Sequence, residues 1–163
     1  MTPDPLDREE SAFLNLVNDY RAQHGVGPLQ VSAALQNSSS WMSRDMAAKN
    51  YAAHVDSLGR DPHTRIVAFH YPYSPWGENI AGGFPDAQNA LHEWAMACDA
   101  DSSGRCTYGH RTNMLNPNFK VIGIGRAYKA GSAYGGWYWT TDFGGTVDQV
   151  VNARQASNIA AGQ

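Results

Sequence analysis

Two stretches near the C-terminal end restrict the fold more than any other part of the chain. KVIGIGRAYK (120–129) and GWYWTTDFGG (136–145) alternate along their length and are rich in β-branched and aromatic residues. Both read as strands. The six residues between them, AGSAYG, read as a hairpin loop. A two-stranded hairpin is marginal alone in water, so other parts of the chain must cover it.

The preceding residues supply helices for that purpose. Over residues 7–24, Phe13, Leu16, Val17 and Tyr20 fall on one helical face, while Arg8, Glu9, Asn15 and Arg21 lie off it. Asp7 with Glu10 has the capping-box spacing, and Gly25 is a natural stop. Ser32 is placed to cap a second helix running to about residue 50, with Leu35, Met42 and Met46 on one side and a polar patch, QNSSSW. Asn37-Ser38-Ser39 is a formal glycosylation sequon, but a helical sequon is a poor acceptor. Residues 54–75 carry Gly59, Pro62, Pro72 and Pro75 and read as loop, with one helical turn around Thr64 to Phe69. Asp86 can cap a third helix, AQNALHEWAMAC, with Ala87, Leu91, Trp94 and Cys98 along one stripe. The expected fold class is α+β, as one layered domain over residues 7–145 followed by a polar, Ala-rich tail over 146–163. No internal repeat is present.

Composition narrows the class of partner. The chain has 163 residues, 42% of them hydrophobic, which suits one domain with its own core. A net charge of −3 without a basic block argues against nucleic acid. No apolar run reaches membrane-spanning length, and the polar, Pro-bearing MTPDPLDREE lacks a signal-peptide pattern. The only two cysteines, Cys98 and Cys106, bracket the polar, turn-prone DADSSGR. The ends of such a segment can meet, so a disulfide and an oxidising compartment are expected.

One carboxylate stands out. In SPWGENIAGG (74–83), Glu78 sits among Trp, Gly, Ile and Ala, and a carboxylate buried without a partner is costly. Of the six histidines, His24, His63, His70 and His92 read as surface or capping residues. His54 ends the second helix region. His110 lies in YGHRTNMLNPNF, where Gly109, Arg111 and Asn113 surround it with the turn-rich, polar setting of loop-held sites. Arg65 and Arg111 read as ion-pairing or loop-tying residues. There is no G-x-S-x-G and no HExxH, and paired cysteines leave no thiol nucleophile.

Taken together and in order, HVDSLGRDPHTRI, GENIAGG, the Trp-bearing helix, GHRTNMLNPNFKVIGIG and YWTTDFG resemble the CAP superfamily of cysteine-rich secretory, antigen 5 and pathogenesis-related proteins, in its bacterial SCP-like branch. The resemblance runs from about residue 10 to 145. It implies an α–β–α sandwich with an antiparallel sheet between helical layers. It also implies a cavity lined by two histidines and acidic residues that often holds a divalent metal such as Zn²⁺, matching His54, Glu78 and His110 here. Eukaryotic members carry a second glutamate where this chain has Ala97, so that set is incomplete; Glu93, one turn earlier, is the nearest substitute and reads equally as a solvated residue.

The His–Glu–His set has three readings: a polar knot extended by Asn79 and Asn113, a metal site with an open position, or a general base, Glu78, acting directly or on metal-bound water. The expectation is a secreted, monomeric binding module for a lipid or sterol, an envelope component or a protein. The alternatives are a metal-dependent hydrolase or protease using His54, Glu78 and His110, and a purely structural extracellular domain.

Overall fold

A computed structural model of the chain describes residues 2–151. Its elements in order are α1 (Arg8–Gln23), β1 (Gln30–Val31), α2 (Ala33–Lys49), α3 (Pro62–Ala68), β2 (Trp76–Gly82), α4 (Ala87–Met96), α5 (Gly109–Leu115), β3 (Val121–Tyr128) and β4 (Trp137–Gly144). The strands form one sheet in the order β1-β3-β4-β2. The hairpin is its centre, with β3 antiparallel to β4 and β4 antiparallel to β2. The expected antiparallel sheet needs one correction: the two-residue β1 runs parallel to β3, so the sheet is mixed.

Side-chain alternation divides the hairpin between two layers. Ile122, Ile124, Trp139 and Phe143 face α1 and α4, packing with Phe13, Val17, Leu91 and Trp94. Val121 and Tyr138 point to the other face, against Leu35 and Met42 of α2. This is the α–β–α sandwich the resemblance implies.

The α2 layer is held by an unusual surface. The polar patch of α2 is buried: Gln36, Ser38, Ser39 and Ser43 have no exposed area. The helix lies directly on β3 because that strand carries Gly123 and Gly125. A Cβ at Gly123 would come within 2.1 Å of the Leu35 backbone, and one at Gly125 within 2.3 Å of Ser39. At this separation the helix's polar groups reach the sheet. Ser43 donates to the Gly125 carbonyl at 2.8 Å. The Gln36 amide accepts from the Ile124 N–H at 2.9 Å and donates to its carbonyl at 2.7 Å, standing in for a strand where β1 has ended. Asn37 is also buried and accepts from the Asp4 N–H, so the sequon is not a surface site.

Local signals explain most of the helix ends. Asp7 and Glu10 form the capping box of α1, and Ser32 caps α2. The predicted turn at Thr64–Phe69 is a longer helix, because Asp61 caps it and Pro62 occupies its first turn. The third predicted helix, α4, stops at Met96 and leaves Cys98 outside it. Three elements, β1, β2 and α5, lie where no element was expected. From the tail, residues 146–151 run back along the start of α2, with Ala33 donating to the Gln149 carbonyl and Val151 to Val31; residues 152–163 lie outside the described residues. Among the described residues no helix is long and apolar enough to cross a membrane.

Gly123→Ala is expected to lower stability by about 1–3 kcal/mol or more, because helix and strand backbones must separate. Gly27→Ala, with nothing within 4 Å of the added Cβ, should change it by less than ~0.5 kcal/mol. Urea denaturation of the two variants checks the contrast.

Candidate functional site

The partner of Glu78 is a buried arginine. The Asp61 cap starts α3 so that Arg65, one turn in, points into the protein and is fully buried. Its guanidinium forms an ion pair with Glu78 Oε2, donates to the His54 carbonyl at 3.2 Å and lies 3.8 Å from Asp56 Oδ2. Asp56 in turn accepts from the Leu58 and Arg60 N–H groups and pairs with Arg60 at 2.8 Å, which shapes the loop carrying His54. The other Glu78 oxygen faces His54 Nδ1 at 2.7 Å. The Glu78 side chain is 2% exposed and that of His54 52%, so the carboxylate stands behind the ring and the ring faces solvent.

A second carboxyl lies beneath. Asp142 sits directly across the β2–β4 ladder from Glu78 and is buried. Ser39 donates to its Oδ2 at 3.0 Å. Burial, with the Glu78 charge adding to it, pushes the Asp142 carboxyl up to about 8, and Arg65 offsets this only in part. At neutral pH Asp142 is therefore mainly protonated. The charged groups behind His54 then balance: Asp56 and Glu78 against Arg60 and Arg65.

His110 reaches the same cleft from α5. That helix is fixed to β2 by amides: Asn79 donates to the His110 carbonyl at 3.0 Å, and Asn113 donates to Asn79 Oδ1 at 2.9 Å and to the Glu78 carbonyl at 3.2 Å. From below, the buried Arg21 of α1 donates to the Met114, Asn116 and Phe119 carbonyls. The His110 ring stacks on Trp94, with centroids 6.4 Å apart. Its Nδ1 does not meet Glu78. It faces Asp99, 2.9 Å from Oδ1 and 3.1 Å from Oδ2, and Asp99 Oδ2 also accepts from the His110 backbone N–H. Asp99 lies inside the loop closed by the Cys98–Cys106 disulfide, which the structure contains as expected.

The cleft so formed is open, about 460 Å³ in volume, and straddles the edge strand β2. His54, Glu78, Asn79, Asp99, His110 and Asn113 line it; among the described residues no Leu, Ile, Val, Phe, Tyr or Trp side chain does. Glu93 is exposed on α4 and takes no part in the lining. The acid nearest the gap at Ala97 is Asp99, two residues further on, which in the sequence is one more polar residue of a turn-prone loop. Arg65 is the ion-pairing residue expected; Arg111 joins α5 to the end of α4 by donating to the Ala95 carbonyl, and so ties two helices rather than a loop. Among the described residues no group of three or more His, Cys, Asp or Glu is placed to hold a metal ion. The three-donor set His54, Glu78 and His110 does not fit a metal as arranged, because both Glu78 oxygens are engaged by Arg65 and His54. What remains is two imidazoles, each with a carboxylate on Nδ1, the arrangement that orients metal-binding histidines elsewhere. Among the described residues Ser38 and Ser39 are buried under the sheet, and neither cysteine is free.

Comparison with known proteins places this geometry in a family. Residues 14–143 match the CAP, or cysteine-rich secretory protein, family. The uncharacterized protein YkwD of Bacillus subtilis is 32% identical over 141 residues, covering 86% of this chain and 49% of its own length. An extracellular protein containing an SCP domain from Bacillus anthracis superposes with a TM-score of 0.66 at 23% identity, covering 86% of this chain and 44% of that one. NaASP2, solved with Zn²⁺, superposes with a TM-score of 0.56 at 14% identity, over 92% of this chain and 87% of that one. The chain spans half or less of the length of the curated relatives it matches.

The raised Asp142 carboxyl has a measurable consequence. The folded state keeps a proton that the unfolded chain loses near the ordinary value of 3.8, so stability falls as pH rises from about 4 through about 8. Asp142→Asn mimics the protonated form and should flatten that fall. Glu10, pushed by burial up to about 7, accounts for part of what remains. Urea titrations of both proteins from pH 5 to about 8.5 read the difference; parallel profiles would show that Asp142 is ionised throughout.

Proposed function

This chain belongs to the cysteine-rich secretory protein (CAP) family, in its bacterial type, and from that membership we propose that it is a secreted binding module whose ligand occupies the cleft between His54 and His110. The observation that carries the reading is the state of Glu78. A general base must be free to take a proton from its substrate. Glu78 is 2% exposed, paired with Arg65 and covered by His54, so it acts as the anchor of a ring. The disulfide and the extracellular B. anthracis relative support secretion.

The lining selects among ligands. An open cleft walled by imidazole, amide, hydroxyl and carboxylate groups has no large hydrocarbon side chain in its lining to hold a sterol or acyl chain. It suits a polar ligand presenting a cation or hydrogen-bond donors, such as an envelope polymer or a loop of another protein. Two oriented imidazoles also support weak uptake of a divalent cation, and NaASP2 was solved with Zn²⁺. When bound, such an ion would offer a ligand oxygen a Lewis-acidic partner.

Calorimetry at neutral pH should detect Zn²⁺ uptake by the wild type, weakened about tenfold or more in His54→Ala and in His110→Ala. Uptake should disappear on acidification, because an imidazole must be unprotonated to ligate. Equal uptake by all three proteins would place the ligands elsewhere.

Native mass spectrometry of protein purified from its own host tests the binding role, with retention of a polar ligand expected and its loss when both histidines are replaced. Glu78→Gln should destabilise the domain by about 1–5 kcal/mol, since Arg65 loses its partner. A Glu78→Gln protein that folds normally yet abolishes a reproducible wild-type peptidase or esterase activity would overturn the binding-module reading.

A further inference from the structure

The two walls of the cleft look alike at the rings and differ behind them. On each, a carboxylate faces Nδ1: Glu78 for His54 and Asp99 for His110. An ionised carboxylate only accepts hydrogen bonds, so the nitrogen facing it carries the proton and the lone pair is left on Nε2. Behind His54 each of two carboxylates has an arginine, Asp56 with Arg60 and Glu78 with Arg65. Behind His110 the carboxylate has none. Asp99 has no arginine or lysine within ion-pair distance among the described residues, and His110 is the one basic group it meets there. The two walls are therefore electrically unequal.

Asp99 is also held from its own backbone. Its carbonyl accepts from the Thr107 N–H at 2.8 Å and from the Thr107 hydroxyl at 2.7 Å. Ala100 bridges to Cys106, and the Cys98–Cys106 bond closes the loop one residue before Asp99. The loop lies outside the buried core clusters, so the core does not by itself fix where Asp99 goes.

We propose that Asp99 is a positioning and specificity-determining residue of the cleft, held there by the disulfide loop: it fixes His110 with Nε2 turned to the ligand as an acceptor, and it leaves that wall net negative, so that the cationic or donor end of a ligand docks against His110. The specificity half rests on the reading of the cleft as the binding site. The positioning half stands on geometry alone.

Two readouts separate these halves. Nitrogen-15 NMR of the histidine rings at neutral pH reports which nitrogen carries the proton. Wild-type His54 and His110 should both show protonated Nδ1. In Asp99→Ala, His110 should lose that preference while His54, facing Glu78, keeps it. Asp99→Asn, which still offers an acceptor oxygen, should retain much of the His110 preference without the charge. Replacing Cys98 and Cys106 together by Ser should shift His110 toward the Asp99→Ala spectrum, with far-UV circular dichroism unchanged. An unaltered His110 spectrum in Asp99→Ala overturns the positioning role, and one unaltered in the double Ser variant overturns the part assigned to the loop.

The second readout is affinity for Zn²⁺ alone as a cationic probe. It should fall about 10–100-fold in Asp99→Ala. A smaller but definite loss in Asp99→Asn would isolate the charge. Affinity within about twofold of wild type in Asp99→Ala overturns the specificity role, since a carboxylate orienting a ligating imidazole contributes more than that. Failure of the wild type to bind Zn²⁺ would overturn the cleft as a cation site, while the ring spectra would still decide whether Asp99 positions His110.

Discussion

Arg65 is the group on which the arrangement of the cleft depends. A guanidinium with no exposed area must be compensated, and two segments converge to do it: the loop through the His54 carbonyl and Asp56, and β2 through Glu78. The compensation is limited to what one arginine can support. With Asp56 and Glu78 already charged, a third carboxylate would be in excess, and Asp142 keeps its proton instead. The same interaction places Glu78 behind the His54 ring, with one oxygen paired to Arg65 and the other facing His54 Nδ1.

The sheet reaches this arrangement through backbone proximity. Gly123 and Gly125 let α2 lie directly on β3, and only at that distance can Ser39 reach Asp142 and Ser43 reach the strand carbonyl. The buried face of α2 is accordingly polar. Its Gln36 amide takes up the Ile124 N–H and carbonyl, which a longer β1 would otherwise satisfy. Substituting larger apolar residues there would force the layers apart and remove the lid over Asp142. Packing and site chemistry are therefore one constraint on this face of the protein.

What is legible in the sequence follows from how local each signal is. The hairpin, the capping box at Asp7 and Glu10 and the cap at Ser32 are patterns of adjacent residues, and the structure contains them. β1 has two residues, too few for any periodicity. β2 is studded with glycine and contains Glu78, so it reads as a loop bearing a charge. α5 is short and enters through Tyr108 in a left-handed conformation, with φ of 52°, which composition does not announce. Among site residues, His54, Glu78 and His110 are legible through family resemblance, and Arg65 as an ion-pairing residue. Asp99 is not, because its role exists only once the disulfide loop folds back over α5. Helical spacing points instead to Glu93 as the substitute acid, since it lies one turn before Ala97, but that side chain faces solvent.

The position of the cleft has its own logic. An edge strand exposes unpaired backbone groups that invite another chain to add to the sheet. On β2 those groups are met by side chains, with Asn113 donating to the Glu78 carbonyl and Trp94 to that of Ile80. Covering the edge this way, rather than with another strand, leaves room beside it, and that room is the cleft. It also couples the two walls. Asn113 touches both the backbone of Glu78 and the amide of Asn79, which itself holds the His110 carbonyl. A ligand that drew His110 inward would pull α5 through these amides against the strand that carries Glu78. Both imidazoles are thus tied to the edge of the sheet, His54 through the Glu78 carboxylate and His110 through the amides of Asn79 and Asn113.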